Sequence, residues 1–255
     1  AATKVAGELW ELLRNKMFVC LCLGSAAQQF SFNGLSYWGV QYLQDDFNLS
    51  DQDAAFYAGS VAGVFGLISP LLGGLFLDHL LRAVPKVNTA RRLQISMKWI
   101  FLFGTVSYVI IIPCILSGQL WLFLLGLAIS MLTFIADIPM QFVVIFEAID
   151  KDNQGLAVTI FTTTQYLLGH LPAPTIIGAI ADATTIKFAF VFSFMWSIFC
   201  TIFWFGSWTY TYSANGSFTE GLKGLFSFRS MSSELLSTDF IENPSCVSSK
   251  SSINQ

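Results

Sequence analysis

The chain has 255 residues, 54% of them hydrophobic and only 11% charged, with a formal net charge of -3 and a mean hydropathy of +0.62. That composition excludes a soluble domain of this length, which exposes more Lys and Glu, and it leaves no basic face for nucleic acid. It points to a polytopic membrane protein whose first partner is the lipid bilayer.

Residues 1–16 read as a cytosolic or interfacial lead. Leu9, Trp10, Leu12 and Leu13 alternate with Glu8, Glu11, Arg14 and Lys16, the pattern of an amphipathic helix lying in a membrane surface. Six apolar stretches follow, at Met17 to Leu43, Ala54 to Leu77, Met97 to Leu116, Leu120 to Phe146, Gly155 to Ala181 and Phe188 to Tyr212. Each is long enough, at about 1.5 Å per residue, to cross a hydrocarbon core of roughly 30 Å. Such a run is too long for a signal peptide. The intervening segments alternate between basic and non-basic. Twelve of the 13 Lys and Arg residues fall on one side, Lys187 alone on the other, and Asp45, Asp46, Asp51 and Asp53 crowd the first hairpin. Both termini are therefore expected in the cytosol, with the acidic hairpin outside. Asn48-Leu49-Ser50 is then a glycosylation sequon on the outer side, whereas Asn215-Gly216-Ser217 lies on the cytosolic one. Residues 17–212 form the expected transmembrane domain, and the Ser-rich 213–255 an expected disordered cytosolic tail.

Five cysteines, Cys20, Cys22, Cys114, Cys200 and Cys246, are an odd set without metal-ligand spacing, so neither a disulfide framework nor a metal or other cofactor is expected. Gly59 and Gly63 in the second stretch form a small-xxx-small pair, which predicts a central helix in close contact with a neighbour. The last stretch, with Phe188, Phe190, Phe192, Phe194, Phe199, Phe203 and Trp204, is bulky all round and is expected at the periphery, facing lipid.

Polar groups within hydrocarbon are costly and usually face a bundle interior or a wet cavity. Gln29, Asn33 and Tyr37 share one helical face of the first stretch, flanked by Gln28, Ser36 and Gln41. They read either as a cavity wall or as interhelical hydrogen-bonding groups. The fourth stretch carries Asp137 with Thr133 and Gln141 a turn on either side, and the fifth carries Gln165 and His170. A carboxyl group and an imidazole are the side chains able to carry a coupling proton, so Asp137 and His170 are the candidates, with a structural acid as the alternative reading of Asp137. Counted from their cytosolic ends they lie about 14 Å and about 22 Å deep. No His-Glu-x-x-His or Gly-x-Ser-x-Gly pattern occurs, so an intramembrane enzyme is not expected.

Two segments resemble a known family. Gly73-Gly74-Leu75-Phe76-Leu77-Asp78-His79-Leu80-Leu81-Arg82, followed by Arg91-Arg92, resembles the Gly-x-x-x-Asp signature of the major facilitator superfamily between its eighth and ninth helices. That resemblance implies a cytosolic latch built from Asp78 and Arg82, with His79 departing from the usual base. The run from Gln165 to Asp182 resembles the eleventh helix of the Spinster-like transporters, with Gly169, Pro174, Gly178 and Asp182 in register, and Tyr166 and His170 standing where that family has His and Asp. Organic-anion transporter polypeptides share a similar Pro-x-Pro and Gly-x-x-x-Asp run. The resemblance implies an all-α fold, six transmembrane helices forming the C-terminal half of a twelve-helix carrier, with a missing N-terminal half as partner. It also implies a small-molecule or lipid substrate such as a lysolipid or sphingoid amphiphile, bordered by Gln29, Asn33, Tyr37, Asp137, Gln141, Gln165 and His170. A receptor-like relative that transports nothing is the competing reading.

Overall fold

A computed structural model describes residues 2–213. The tail expected beyond that point, with Asn215 and Cys246, lies outside the described residues. A lead helix, α1 (Ala2–Arg14), ends at Asn15, whose side chain accepts the Phe18 N–H at 3.3 Å and caps the long α2 (Lys16–Phe47). Trp10 and Leu13 of α1 are uncovered while Leu12 is buried, as an amphipathic lead requires. Then come α3 (Asp51–Leu81), α4 (Thr89–Leu116), α5 (Leu120–Ala136) with α6 (Ile138–Ala148), α7 (Gln154–Thr164) with a π-helical turn (Gln165–His170) and α8 (Pro172–Ala183), and finally α9 (Ile186–Met195) with α10 (Ser197–Ser213). Among the described residues these make six long rods, three of them single helices and three interrupted. Four of the six, at Asp51–Leu81, Thr89–Leu116, Leu120–Ala148 and Ile186–Thr211, are long and apolar enough to cross a membrane. The other two, the first and fifth rods, are the ones that carry Gln28, Gln29 and Asn33 and Gln165 and His170.

The connections follow from local chemistry. Asn48 ends α2 in the left-handed conformation at φ 53°, and Ser50 and Asp53 cap α3 reciprocally, the Ser50 hydroxyl accepting the Asp53 N–H at 3.2 Å and donating to its carboxylate at 2.7 Å. Asp51 and Asp53 also suit the positive end of the α3 dipole. Lys187 ties the last connection back to Asp46 at 3.2 Å, and at the opposite end Arg92 pairs with Glu147.

Two expectations about packing are corrected, that for the second rod outright and that for the sixth in part. The second rod is sparsely buried: of α3 only Ala54, Ser69, Gly73, Leu77 and Leu81 are covered, and a methyl group added at Gly59, Gly63 or Gly66 would meet nothing within 4 Å. Its close approach is made instead at Gly73, where an added Cβ would lie 1.9 Å from the Ala136 carbonyl oxygen. The sixth rod, expected at the periphery, turns one face inward, while Phe188, Phe199 and Ile202 on the other stay uncovered. Trp204 and Trp208 are buried, and Trp204 fills a slot between Gly24 of α2 and Gly104 of α4, where added Cβ atoms would lie 2.4 and 2.5 Å from its ring. Ser31 of α2 donates to the Ser193 carbonyl at 2.6 Å and bonds the Ser197 hydroxyl at 2.8 Å, so α2 and the sixth rod are joined by polar as well as aromatic contacts. Higher up, Tyr42 stacks on Phe190 at 4.5 Å.

Candidate functional site

The fourth rod breaks at Asp137 because Pro139 has no N–H to return to the Ile135 carbonyl, leaving room for a polar side chain at a helix interruption. Gln28 of α2 reaches into that break. Its amide nitrogen donates to both Asp137 carboxyl oxygens, at 3.0 and 2.8 Å, and to the Phe134 carbonyl at 3.0 Å. Gln141, one turn beyond, donates to Asp137 Oδ1 at 3.0 Å and to Gln28 Oε1 at 2.9 Å, while the Ser25 hydroxyl donates to Gln141 Oε1 at 2.6 Å. All four side chains are buried, Asp137 completely. This is a closed network in which each polar group is satisfied by another, the arrangement that makes buried polar atoms tolerable in a low-dielectric interior. Asp137 and Gln141, expected to border the substrate cavity, are therefore placed in the packed contact between α2 and the fourth rod. Gln28, read only as a flanking residue, is the partner of the acid; its position one residue before Gln29 put it on the neighbouring, inward face, and that was the available signal.

A different surface is open. On α2, Ser36, Tyr37 and Gln41 are uncovered and Gln29 and Asn33 half-buried, so the stripe expected from the four-residue spacing exists as one exposed face. Beside it runs the π-turn of the fifth rod, in which Leu171 N–H donates to the Tyr166 carbonyl at 2.9 Å, five residues back. Gly169 lets this turn lie against α2: a Cβ there would be 2.6 Å from the Ala26 carbonyl and 2.9 Å from Gln29 Cβ. Tyr166 is uncovered and its ring stacks on His170 at 4.9 Å between centroids. The Asn33 amide donates to the His170 carbonyl at 2.6 Å, and Trp38 Nε1 donates to the Pro174 carbonyl at 3.0 Å. Gln165 is half-buried beside them. Gln29, Asn33, Tyr37, Tyr166 and His170 thus form one polar, aromatic wall flanked by the exposed Leu167, Leu168 and Leu171. Tyr166, not among the expected site residues, belongs to it. His170 and Asp137 are on different surfaces of α2 and do not meet.

Asp78 and Arg82 are both exposed at the end of α3; the bond between them is the backbone one, Arg82 N–H to the Asp78 carbonyl at 3.0 Å. Asn48 is exposed in the first hairpin. No group of three or more His, Cys, Asp or Glu able to hold a metal occurs among the described residues.

The chain as a whole has counterparts among known proteins. A crystal structure of a bacterial homologue of the human lysosomal transporter Spinster, inward-facing and unoccupied, matches with a TM-score of 0.61 at 15% identity, over 79% of this chain and 49% of that one. The probable sphingolipid transporter spinster homolog 3 of Arabidopsis thaliana is 25% identical over 180 residues, 71% of this chain and 33% of the relative, and its homolog 2 matches equally well over 179 residues. The chain is thus similar in sequence to the spinster transporters and shares the fold of the bacterial homologue. Its residues 2–118 also match the family model of the Organic Anion Transporter Polypeptide family. The mouse solute carrier organic anion transporter family member 4A1 is 34% identical over 70 residues, 28% of this chain and 10% of that protein. The chain is an integral membrane protein, and it spans about a third of the length of the curated spinster relatives it matches.

Proposed function

We propose that this chain is the C-terminal six-helix half of a secondary carrier that works by alternating access, its polar wall forming one side of a central substrate path. The observation that carries the reading is the wall itself, a strip in which Tyr37 and Tyr166 are exposed and Gln29, Asn33 and His170 half-buried, on rods otherwise coated with Leu, Phe and Ile. Polar groups held at that depth, open on the side away from their own helices, call for a partner half and a ligand. The match to about half of the bacterial Spinster homologue supports a missing N-terminal half as that partner.

The substrate class that fits is an amphiphile, a sphingoid or lysolipid-like molecule whose chain lies along Leu167, Leu168 and Leu171 and whose head meets the Gln29 amide and the Tyr37 and Tyr166 phenols. A carrier of organic anions is the second reading, favoured by the matched family model and the mouse relative. Against it, none of the described Lys and Arg residues stands on this wall, so the wall itself offers an anion no countercharge. The reading is of a carrier, not of an enzyme. His170, half-exposed on the wall, is better placed to exchange a coupling proton with the path than Asp137, whose oxygens are enclosed. Asp78 and Arg82, exposed and unengaged with each other's side chains, are placed to latch the cytosolic side across to the other half. In the same scheme residues 1–16 lie on the cytosolic membrane surface, residues 213–255 form a cytosolic tail, and Asn48 is glycosylated outside.

Uptake by proteoliposomes holding the full-length protein tests this. A long-chain amino lipid should accumulate faster than in empty vesicles, and a bulky organic anion should not. Equal rates with and without protein for both would leave a receptor-like, non-transporting protein.

A further inference from the structure

Pro172 and Pro174 open α8, and neither has an N–H. In a continuous helix residue 174 would donate to the carbonyl four residues back, that of His170, so this acceptor has lost its ordinary α-helical donor. The atom that reaches it is Asn33 Nδ2, from α2, at 2.6 Å. Five residues further along α2, Trp38 Nε1 donates to the Pro174 carbonyl at 3.0 Å while its ring lies on Gly178, where an added Cβ would sit 2.7 Å from it.

We infer, on the carrier reading above, that Asn33 and Trp38 are positioning residues: Asn33 supplies from α2 the hydrogen bond that Pro174 removes from the His170 carbonyl, Trp38 fastens the Pro174 carbonyl one turn on, and together they hold the fifth rod in its π register with Tyr166 and His170 on the wall. An unpaired carbonyl at membrane depth is costly, so without Asn33 the turn has reason to re-register. Converting one π-turn to α shifts the helical phase by one residue, about 100° of rotation between the parts on either side. That rotation would carry Tyr166 off the wall. Asn33, on this account, serves the substrate path by orienting another helix and not by binding the ligand.

The test uses the full-length protein in lipid nanodiscs. Amide hydrogen exchange is measured over 166–178 for Asn33→Ala, Pro174→Ala, the double variant and Trp38→Phe, with 97–115 of α4 as internal reference. Asn33→Ala should speed exchange in 166–178 by about threefold to tenfold, the range of one interhelical hydrogen bond in a membrane, and leave the reference unchanged. Adding Pro174→Ala restores an N–H facing the His170 carbonyl and should return exchange most of the way to wild type, together with the uptake rate. Trp38→Phe loses the donor together with the outer ring carbons that lie on Gly178; it should speed exchange mainly beyond Pro174. Unchanged exchange in Asn33→Ala, or a double variant worse than either single one, overturns the inference. If the wild-type protein takes up no lipid, the carrier reading falls, and the exchange comparison still decides the role of Asn33.

Discussion

The second and sixth rods differ in a way that composition hides. α3 is rich in small residues, with glycines at helical spacing, and stands largely uncovered; the sixth rod is crowded with aromatics and buries Phe190, Phe194, Trp204 and Trp208 along one face. In water, bulk drives burial and small residues say little. In lipid the tails are as apolar as any Phe, so packing is decided by which surfaces fit, and Trp204 is interior because Gly24 and Gly104 make its slot. Gly59 and Gly63 declare that a backbone can come close, and none of this chain's described helices does. That face of α3 therefore belongs, in the carrier scheme, to the other half.

Breaking the aromatic side of this contrast should cost most. Trp204→Ala leaves a cavity between α2, α4 and α10 and is expected to lower stability by about 3–5 kcal/mol, read as a loss of folded monodisperse protein in detergent unfolding. Gly104→Leu should do comparable damage by overfilling the same slot, at about 1–3 kcal/mol or more. Asp137→Asn keeps the shape but turns an acceptor into a donor facing two amide nitrogens, and should cost about 1–2 kcal/mol in the same assay. If that variant kept full stability, the enclosed network would not be holding α2 to the fourth rod; if it changed the pH dependence of uptake while stability held, Asp137 would regain a coupling role. The smallest effect sharpens the other side: Gly63→Leu should change the stability of this half by less than about 0.5 kcal/mol, as for a surface position. In the full-length carrier the same substitution should still slow uptake, because the missing half is expected to pack there.

The polar stripe on the first rod was readable because a repeat of four residues fixes a helical face whatever surrounds it, and Gln29, Asn33 and Tyr37 do share one. Pro139 was the available signal for the break at Asp137, and Pro172 and Pro174 for the interruption of the fifth rod, but the fourth stretch was expected unbroken. What spacing within one helix could not show was the pairing across helices: that Gln28 turns inward to the acid while Gln29 turns outward, or that Asn33 answers a donor missing from residue 174. These depend on the relative rotation and height of α2 and its neighbours, set by contacts such as Gly169 on the Ala26 carbonyl that no local pattern contains. For the same reason the placement of α3 was corrected outright and that of the sixth rod in part. Residue size was legible, and the complementary surface was not.

The most direct test is thiol labelling along α2 in the full-length protein, in a cysteine-free background, with a water-soluble membrane-impermeant reagent applied from both sides. Single cysteines at positions 29, 37 and 41 should react, and single cysteines at 31 and 35, which face the sixth rod and the core, should stay inert. Uniform inertness of 29, 37 and 41, or equal labelling of 31 and 35, would mean that no wet path runs along this wall.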